Sequence, residues 1–384
     1  MPTETEDEGR ERIVPDPEEE GSGSPLPLDS RAEVARLERP RRGWLIELGR
    51  AGRFLTARNL MIVALIGLAV LLALVAQAKG VTAGLLLRLA VYGIMLGSII
   101  ALGAIGLTLV YGVLRFANFS HGELLTVGAY VALGLMGVLP WGEPLRPFSF
   151  GWEFLVAMAA AMVATGVVAY GLDWVLFRHL RRRGSSSVIL AMAALGAAFF
   201  VRSIIYLSWG PDFRFYYWGR PRPAWQLPLG VRFRPDQLFI LGLAVGLVIL
   251  LYFLLERTKM GKAMRATADN PELARVTGID TARVIRWTWM IGGGLAAAGG
   301  VLLGLDAQLR PEMGWWMLLP MFAAVILGGI GNPYGALAGG LIIGMVQQLS
   351  TAFIKTTYKP GVAFLIMIII LLVRPQGLFG GRRS

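Results

Sequence analysis

The sequence predicts an all-α polytopic membrane protein of about eight to ten transmembrane helices. Three observations carry that prediction. Hydrophobic residues make up 55% of the 384 and charged residues only 16%, with a mean hydropathy of +0.60; a soluble globular chain carries roughly 25% charged residues. The apolar residues gather in runs near the length of about 20 that a helix needs to cross a bilayer core. Lys and Arg flank those runs, which points to an anionic membrane face rather than to nucleic acid.

Residues 1–42 are rich in Glu, Pro, Gly and Ser and read as a disordered acidic tail, because they hold too little apolar surface to fold. The first 20 residues carry nine acidic and two basic side chains, whereas the rest carry 35 basic and 16 acidic. The acidic start is unlike a signal peptide. Residues 43–58, with Arg50, Arg53 and Arg58, read as a basic amphipathic lead-in on the membrane surface. The membrane domain is expected over 59–376, followed by a basic tail at 377–384.

Ten apolar runs follow, near 59–78, 84–112, 119–139, 152–177, 186–208, 237–255, 285–306, 317–331, 335–354 and 361–374. The runs at 317–331 and 361–374 are short, so broken or re-entrant segments are expected there. With the N-terminus inside, the inner stretches hold 21 Lys and Arg. The outer loops hold about half as many, so the positive-inside rule places both termini in the cytoplasm. The loop 209–236 is the exception, with Arg214, Arg220, Arg222, Arg232 and Arg234 among Tyr216, Tyr217, Trp218 and Trp225. It reads as a folded outer hairpin with an aromatic face. Glycines at four-residue spacing, such as Gly93/Gly97, Gly300/Gly304, Gly335/Gly339 and Gly340/Gly344, read as close helix packing in lipid.

Three segments carry functional signal. In Gly106–Tyr130 a polar cluster interrupts two apolar runs. Ser120-His121-Gly122-Glu123 matches a capping box, in which serine and glutamate satisfy the free N–H groups of a helix start. Such a start inside the bilayer turns its positive dipole end toward an anionic group. Asn118, Ser120, His121, Glu123 and Thr126 are therefore candidates to line a substrate path. A plain cap at the membrane surface is the competing reading, with His121 a hydrogen-bonded helix-end residue.

The second segment, Met264–Asp280, encodes a complete short helix. Asn270 is a preferred N-cap, Pro271 suits the first position and Glu272 suits the positive end. Gly278 can take the left-handed turn that stops it. Leu273 and Val276 share a face. Two turns are not stable alone, so a partner surface is expected. The third segment, Phe322–Gly340, contains Gly328-Gly329-Ile330-Gly331-Asn332-Pro333, which splits one apolar run in two. A channel built on paired membrane Asn-Pro half-helices is disfavoured, because the second Asn-Pro, at 270–271, lies in a charged loop.

Glu123, Asp173, Arg202 and Asp306 are ionisable residues in or near spans, which makes each a functional candidate. Asp173 and Arg202 fall near span ends and are expected to snorkel. The sequence has no cysteine and two histidines, His121 and His179, which leaves little for a metal site. It lacks the glycine-rich loop with Lys-Ser/Thr that ATP use requires, and shows no Ser/His/Asp or His-Glu-x-x-His constellation. Neither an enzyme nor a resident cofactor is expected.

Together the three segments resemble the permease subunits of branched-chain amino-acid ABC importers, the Liv type, and specifically the shorter of two paired permeases. The likeness runs over roughly 88–376. It implies an inner-membrane importer subunit of a prokaryote, with an inverted repeat in its helices. It also implies two cytoplasmic ATPases, a second homologous permease and an extracytoplasmic solute-binding protein as partners, and no nucleic acid. In such permeases the inner loop, here 256–286, contacts the ATPase, and the residues matching that contact are Asp269, Asn270, Pro271, Glu272, Leu273, Val276 and Gly278. Related permeases serve urea, short amides or other small organic acids, and a ribose-type sugar permease shares the architecture. A stand-alone channel or ion-coupled carrier is the reading from another class; a protruding apolar helix at 270–277 argues against it.

Overall fold

Helix boundaries fall where the sequence places its start and stop signals. The computed structural model describes residues 80–140, 142–217, 224–226, 232–374 and 376–379. The expected tail 1–42, the lead-in 43–58, the first run 59–78 and residues 380–384 lie outside them. α1 (Ala83–Leu114) starts behind Thr82, whose side chain accepts from Leu85 N. α2 (His121–Val138) and α3 (Trp152–Arg182) follow, and α3 contains a π turn at Asp173–Phe177. α4 (Ser187–Trp209) starts behind Ser186 and α5 (Pro235–Arg257) carries proline at its start. Two short helices come next, α6 (Lys259–Asp269) and α7 (Pro271–Val276). α8 (Thr281–Asp306), α9 (Met313–Gly328), α10 (Pro333–Ser350) and α11 (Lys359–Val373) complete the described bundle.

Among the described residues, seven helices are long and apolar enough to cross a membrane. α9, at 16 residues, is the shorter apolar helix expected from the run 317–331. The Gly329–Gly331 turn has positive φ at both glycines, and Asn332 then caps α10 by accepting from Tyr334 N and Gly335 N. The break is therefore a tight reversal: Gly328 lies against Gly335, and Ala324 against Gly339.

Burial separates centre from rim. In α1 and α8, 89% and 83% of the most apolar window is buried, against 22% in α5 and 6% in α11. Lipid is as apolar as leucine, so helices associate where small residues let backbones meet. At the α1–α10 contact a Cβ on Gly344 would lie 2.2 Å from Gly97 Cα, and one on Gly97 2.8 Å from Leu341 Cα. At the α2–α8 contact a Cβ on Gly300 would lie 1.9 Å from the Leu125 carbonyl oxygen. The spaced glycines thus mark the main helix contacts.

The loop 209–236 differs from its expected form. A hairpin is present, with Trp225–Gln226 paired antiparallel to Arg232–Phe233. Tyr216 and Tyr217, however, are buried rather than part of an exposed aromatic face. Tyr216 donates to the Ala129 carbonyl (2.9 Å) and Tyr217 to Glu153 Oε1 (3.1 Å). Burial pushes the Tyr216 hydroxyl well above the ordinary tyrosine range, which keeps it a donor. Arg234 Nη2 reaches Asp306 Oδ1 at 2.6 Å. An isolated phenol or carboxylate is costly to bury, so these groups turn inward to meet each other and staple the loop to the bundle.

Candidate functional site

The polar segment between α1 and α2 is built by a chain reversal. α1 ends at Arg115, which takes the left-handed conformation at φ 55°. Its guanidinium is thereby free to reach back, and Nη2 donates to the carbonyls of Ala268 (3.0 Å) and Asp269 (3.1 Å). Those carbonyls end α6, where the helix dipole is negative and a cation is favoured. The segment leading into α2 is thus tied to the residue that precedes α7.

Asn118, Ser120, His121, Glu123 and Thr126 are all buried. The expected capping box does not form. Ser120 has α-region backbone (φ −74°, ψ −7°) and makes no side-chain cap bond. Instead its hydroxyl donates to Asn118 Oδ1 at 2.6 Å, and its N–H donates to the same oxygen at 3.1 Å. The N–H groups of His121 and Glu123 turn back to the carbonyls of Asn118 and Ser120, so the helix start is satisfied by its own backbone. Glu123 is drawn away from the cap altogether.

Its partner is Arg202 of α4, whose Nε donates to Glu123 Oε1 at 3.0 Å and whose Nη2 reaches the same oxygen. Arg202 does not snorkel, as its place near a span end suggested. A buried carboxylate offers the guanidinium more than a distant water layer does. The Arg202 guanidinium also lies 4.9 Å from the ring centre of Trp315 and 5.5 Å from that of Phe199, a cation–π arrangement. Beside it the Tyr206 hydroxyl donates to Glu312 Oε2 at 3.1 Å. One face of α2, α4 and the start of α9 therefore gathers a guanidinium, two carboxylates and aromatic rings.

The other members hold α2 to its neighbours. His121 Nε2 lies 3.0 Å from the Gly103 carbonyl of α1; a carbonyl only accepts, so Nε2 carries the proton. Gly106 leaves room for the imidazole, since a Cβ there would stand 3.1 Å from the ring. Thr126 Oγ1 accepts from Gly314 N at 3.0 Å. Asn118 Nδ2 and His121 Nδ1 are buried with no hydrogen-bond partner among the described residues, an arrangement with free donor and acceptor capacity. Arg202 was a candidate by its charge alone, without a partner, and Arg115 is the member that sequence reading did not single out. An arginine in one apolar run and a glutamate in another signal an ion pair, but only the packing names the partner.

α7 forms as its sequence dictates. Asn270 Oδ1 accepts from Glu272 N (3.1 Å) and Leu273 N (3.0 Å), and Gly278 takes φ 86° beyond the end. Ala274 faces inward, whereas Leu273 and Val276 are 59% and 85% exposed. Two apolar side chains on a two-turn helix are thereby presented outward together.

Residues 89–371 match the family described as branched-chain amino acid transport system, permease component. The chain belongs to that family. It is 33% identical over 297 residues to the high-affinity branched-chain amino acid transport system permease protein LivH of Escherichia coli K12, covering 75% of this chain and 93% of LivH. It is 31% identical over 305 residues to BraD of Pseudomonas aeruginosa, covering 76% and 94%. Among solved structures, PsaBC from Streptococcus pneumoniae in complex with Fab aligns with a TM-score of 0.42 at 14% identity, over 79% of this chain and 96% of that one. As a family member with seven apolar helices of spanning length among the described residues, the chain is a multi-pass membrane transport permease.

Proposed function

We propose that this chain is the permease subunit of an ABC importer that moves a small amino acid, branched-chain in the first instance, across the inner membrane. One observation carries the reading: likeness to branched-chain permeases extends over three quarters of this chain and nearly their whole length. A sugar permease is the second reading, supported by 33% identity to the fructose permease FrcC of Rhizobium meliloti over 26% of this chain and by 25% identity to the galactofuranose permease YtfT of Escherichia coli over 74% of it. Urea and short amides remain alternatives as substrates.

In the proposed mechanism two separate cytoplasmic ATPases supply the energy, a second homologous permease completes the pathway, and an extracytoplasmic binding protein delivers substrate. The N-terminus and α7 face the cytoplasm. α7 inserts Leu273 and Val276 into an ATPase, with Asp269, Asn270, Pro271, Glu272 and Gly278 holding its shape. Arg115 joins the base of α7 to the Asn118–Thr126 segment, so a push on α7 is felt at the start of α2. The path then opens along α2, α4 and α9, and the substrate's carboxylate and ammonium meet Arg202 and Glu123 in place of each other. A zwitterion suits that exchange, because it returns one charge of each sign to a site that has separated them.

The test is reconstitution. The chain, its partner permease, both ATPases and the binding protein are placed in liposomes and uptake of labelled leucine is followed, with urea, acetamide and fructose as competitors. ATP-dependent leucine uptake that needs every subunit is expected. Uptake by the chain alone without ATP would make it a channel or carrier and end this reading.

A further inference from the structure

We infer that an arginine-lined cavity beside α7 binds the phosphate of an anionic lipid headgroup. The cavity has a volume of about 650 Å³ and lies between the end of α1, the last turns of α3 and the start of α8, with α7 at its edge. Its lining holds Arg178, Arg181, Arg182, Arg275 and Arg286 against a single carboxylate, Asp173. Asp173 is engaged by Arg181 at 2.7 Å. Four guanidinium groups then share one cavity with no acid on its wall to oppose them, and like charges so gathered favour a bound anion. The planar guanidinium presents paired donors that match phosphate oxygens. α8, a 26-residue helix, begins at the cavity with Thr281 and Ala282 in its first turn. Asp280 caps that start by accepting from Arg283 N at 3.0 Å, so the guanidinium groups and not the helix dipole supply the attraction.

The π turn explains how α3 supplies three of the five. In it the Arg178 N–H reaches back to the Asp173 carbonyl, and this wider turn shifts the helical frame. Arg181 returns beneath Asp173, and Arg178, Arg181 and Arg182 all come to line the cavity.

Two observations favour a lipid over a soluble anion or an acidic protein face. The arginines continue a membrane-spanning helix directly beyond Trp174 and Val175, which are 54% and 64% exposed on the rim of the bundle. Exposed tryptophan beside a cationic turn marks the boundary between hydrocarbon and water. Val113, Leu114 and Ile285 give the wall an apolar part that suits the glycerol and first acyl carbons below a phosphate, and Tyr170 and Thr281 complete it. Basic cavities between helices at that depth take anionic headgroups. The leaflet rests on the proposed contact of α7 with an ATPase, but the charge and shape of the cavity do not. A headgroup there bridges α3, α7 and α8.

The purified chain in neutral detergent is mixed with dioleoyl phosphatidylglycerol or dioleoyl phosphatidylcholine, and retained lipid is counted by native mass spectrometry. Retention of the glycerol lipid over the choline lipid is expected. R178Q/R182Q/R286Q should lower that retention about a hundredfold, given the attraction each basic residue exerts on an anionic headgroup. R178K/R182K/R286K keeps the charge but not the paired donors, so it should retain more lipid than the glutamine variant and less than the parent, which separates loss of the site from loss of the fold. R257Q/R283Q removes nearby charge outside the cavity lining and should match the parent. Equal retention of both lipids, or no loss in the triple glutamine variant, overturns the proposal. So does saturation by inorganic phosphate in dialysis without retention of the glycerol lipid, which makes this a free-phosphate site. Lost ATPase association with unchanged lipid retention also overturns it and moves the arginines to a protein interface. The lipid assay needs neither ATP nor transport, so its failure is distinct from failure of the importer reading.

Discussion

At the scale of single residues, the Glu123–Arg202 pair is the largest electrostatic commitment the described bundle makes. Glu123 is buried and Arg202 nearly so, with side-chain exposures of 1% and 14%. Removing one partner strands the other, whereas replacing both is often close to neutral. Arg202→Met is therefore expected to cost about 3–5 kcal/mol, and the double variant E123Q/R202M to recover most of it. Thermal unfolding in detergent checks this; equal melting of the single and double variants would show that the pair is not coupled. The buried, half-satisfied Asn118 and His121 make a second expectation. Cysteine placed at 118 or 121, in a chain with none of its own, should be shielded in the resting protein. It should react with a small water-soluble thiol reagent while the assembled importer turns over, and substrate should protect it. No labelling in any nucleotide state would make the segment structural.

Among the elements, α7 is legible almost whole in the sequence, since a cap, a proline, an acidic first turn and a stopping glycine all act within a few residues. It is one residue shorter at each end than the expected 270–277, with Asn270 as cap and Val276 the last helical residue. The start of α2 departs from its local pattern for the opposite reason. Ser120 and Glu123 have the spacing of a capping box, but Asn118 takes the hydroxyl and Arg202 takes the carboxylate. Local spacing proposes a bond, and a stronger distant partner decides it. For α7 the expectation is functional: L273D/V276D should abolish ATPase association and uptake while the permease still inserts and elutes as the parent does. Unchanged uptake would remove α7 from the coupling path.

Across the whole molecule, contact between helices depends on glycine. A Cβ at Gly344 would lie 2.2 Å from the backbone of Gly97, with no flexible side chain to yield. Gly344→Ala should destabilise the bundle by about 1–3 kcal/mol. Gly246→Ala, where nothing lies within 4 Å, should be neutral or stabilise by up to about 1 kcal/mol through helix propensity. Thermal unfolding of the two variants compares them directly; matched melting temperatures would show that the α1–α10 contact can relax.

Hydropathy, charge flanks and caps act over one helix at most, so the membrane class, nine of the ten expected runs, the break at Gly329–Asn332 and the whole of α7 could be read from the sequence by itself. The tenth run, 59–78, lies outside the described residues. Which helices adjoin is a property of packing between backbones far apart in the chain. Tertiary structure therefore decided that Glu123 faces Arg202, that Tyr216 and Tyr217 turn inward, and that Arg115 grips the end of α6. It also gathered arginines from α3, α7 and α8 into one cavity, because each of those groups finds its partner across helices that only the folded bundle brings together.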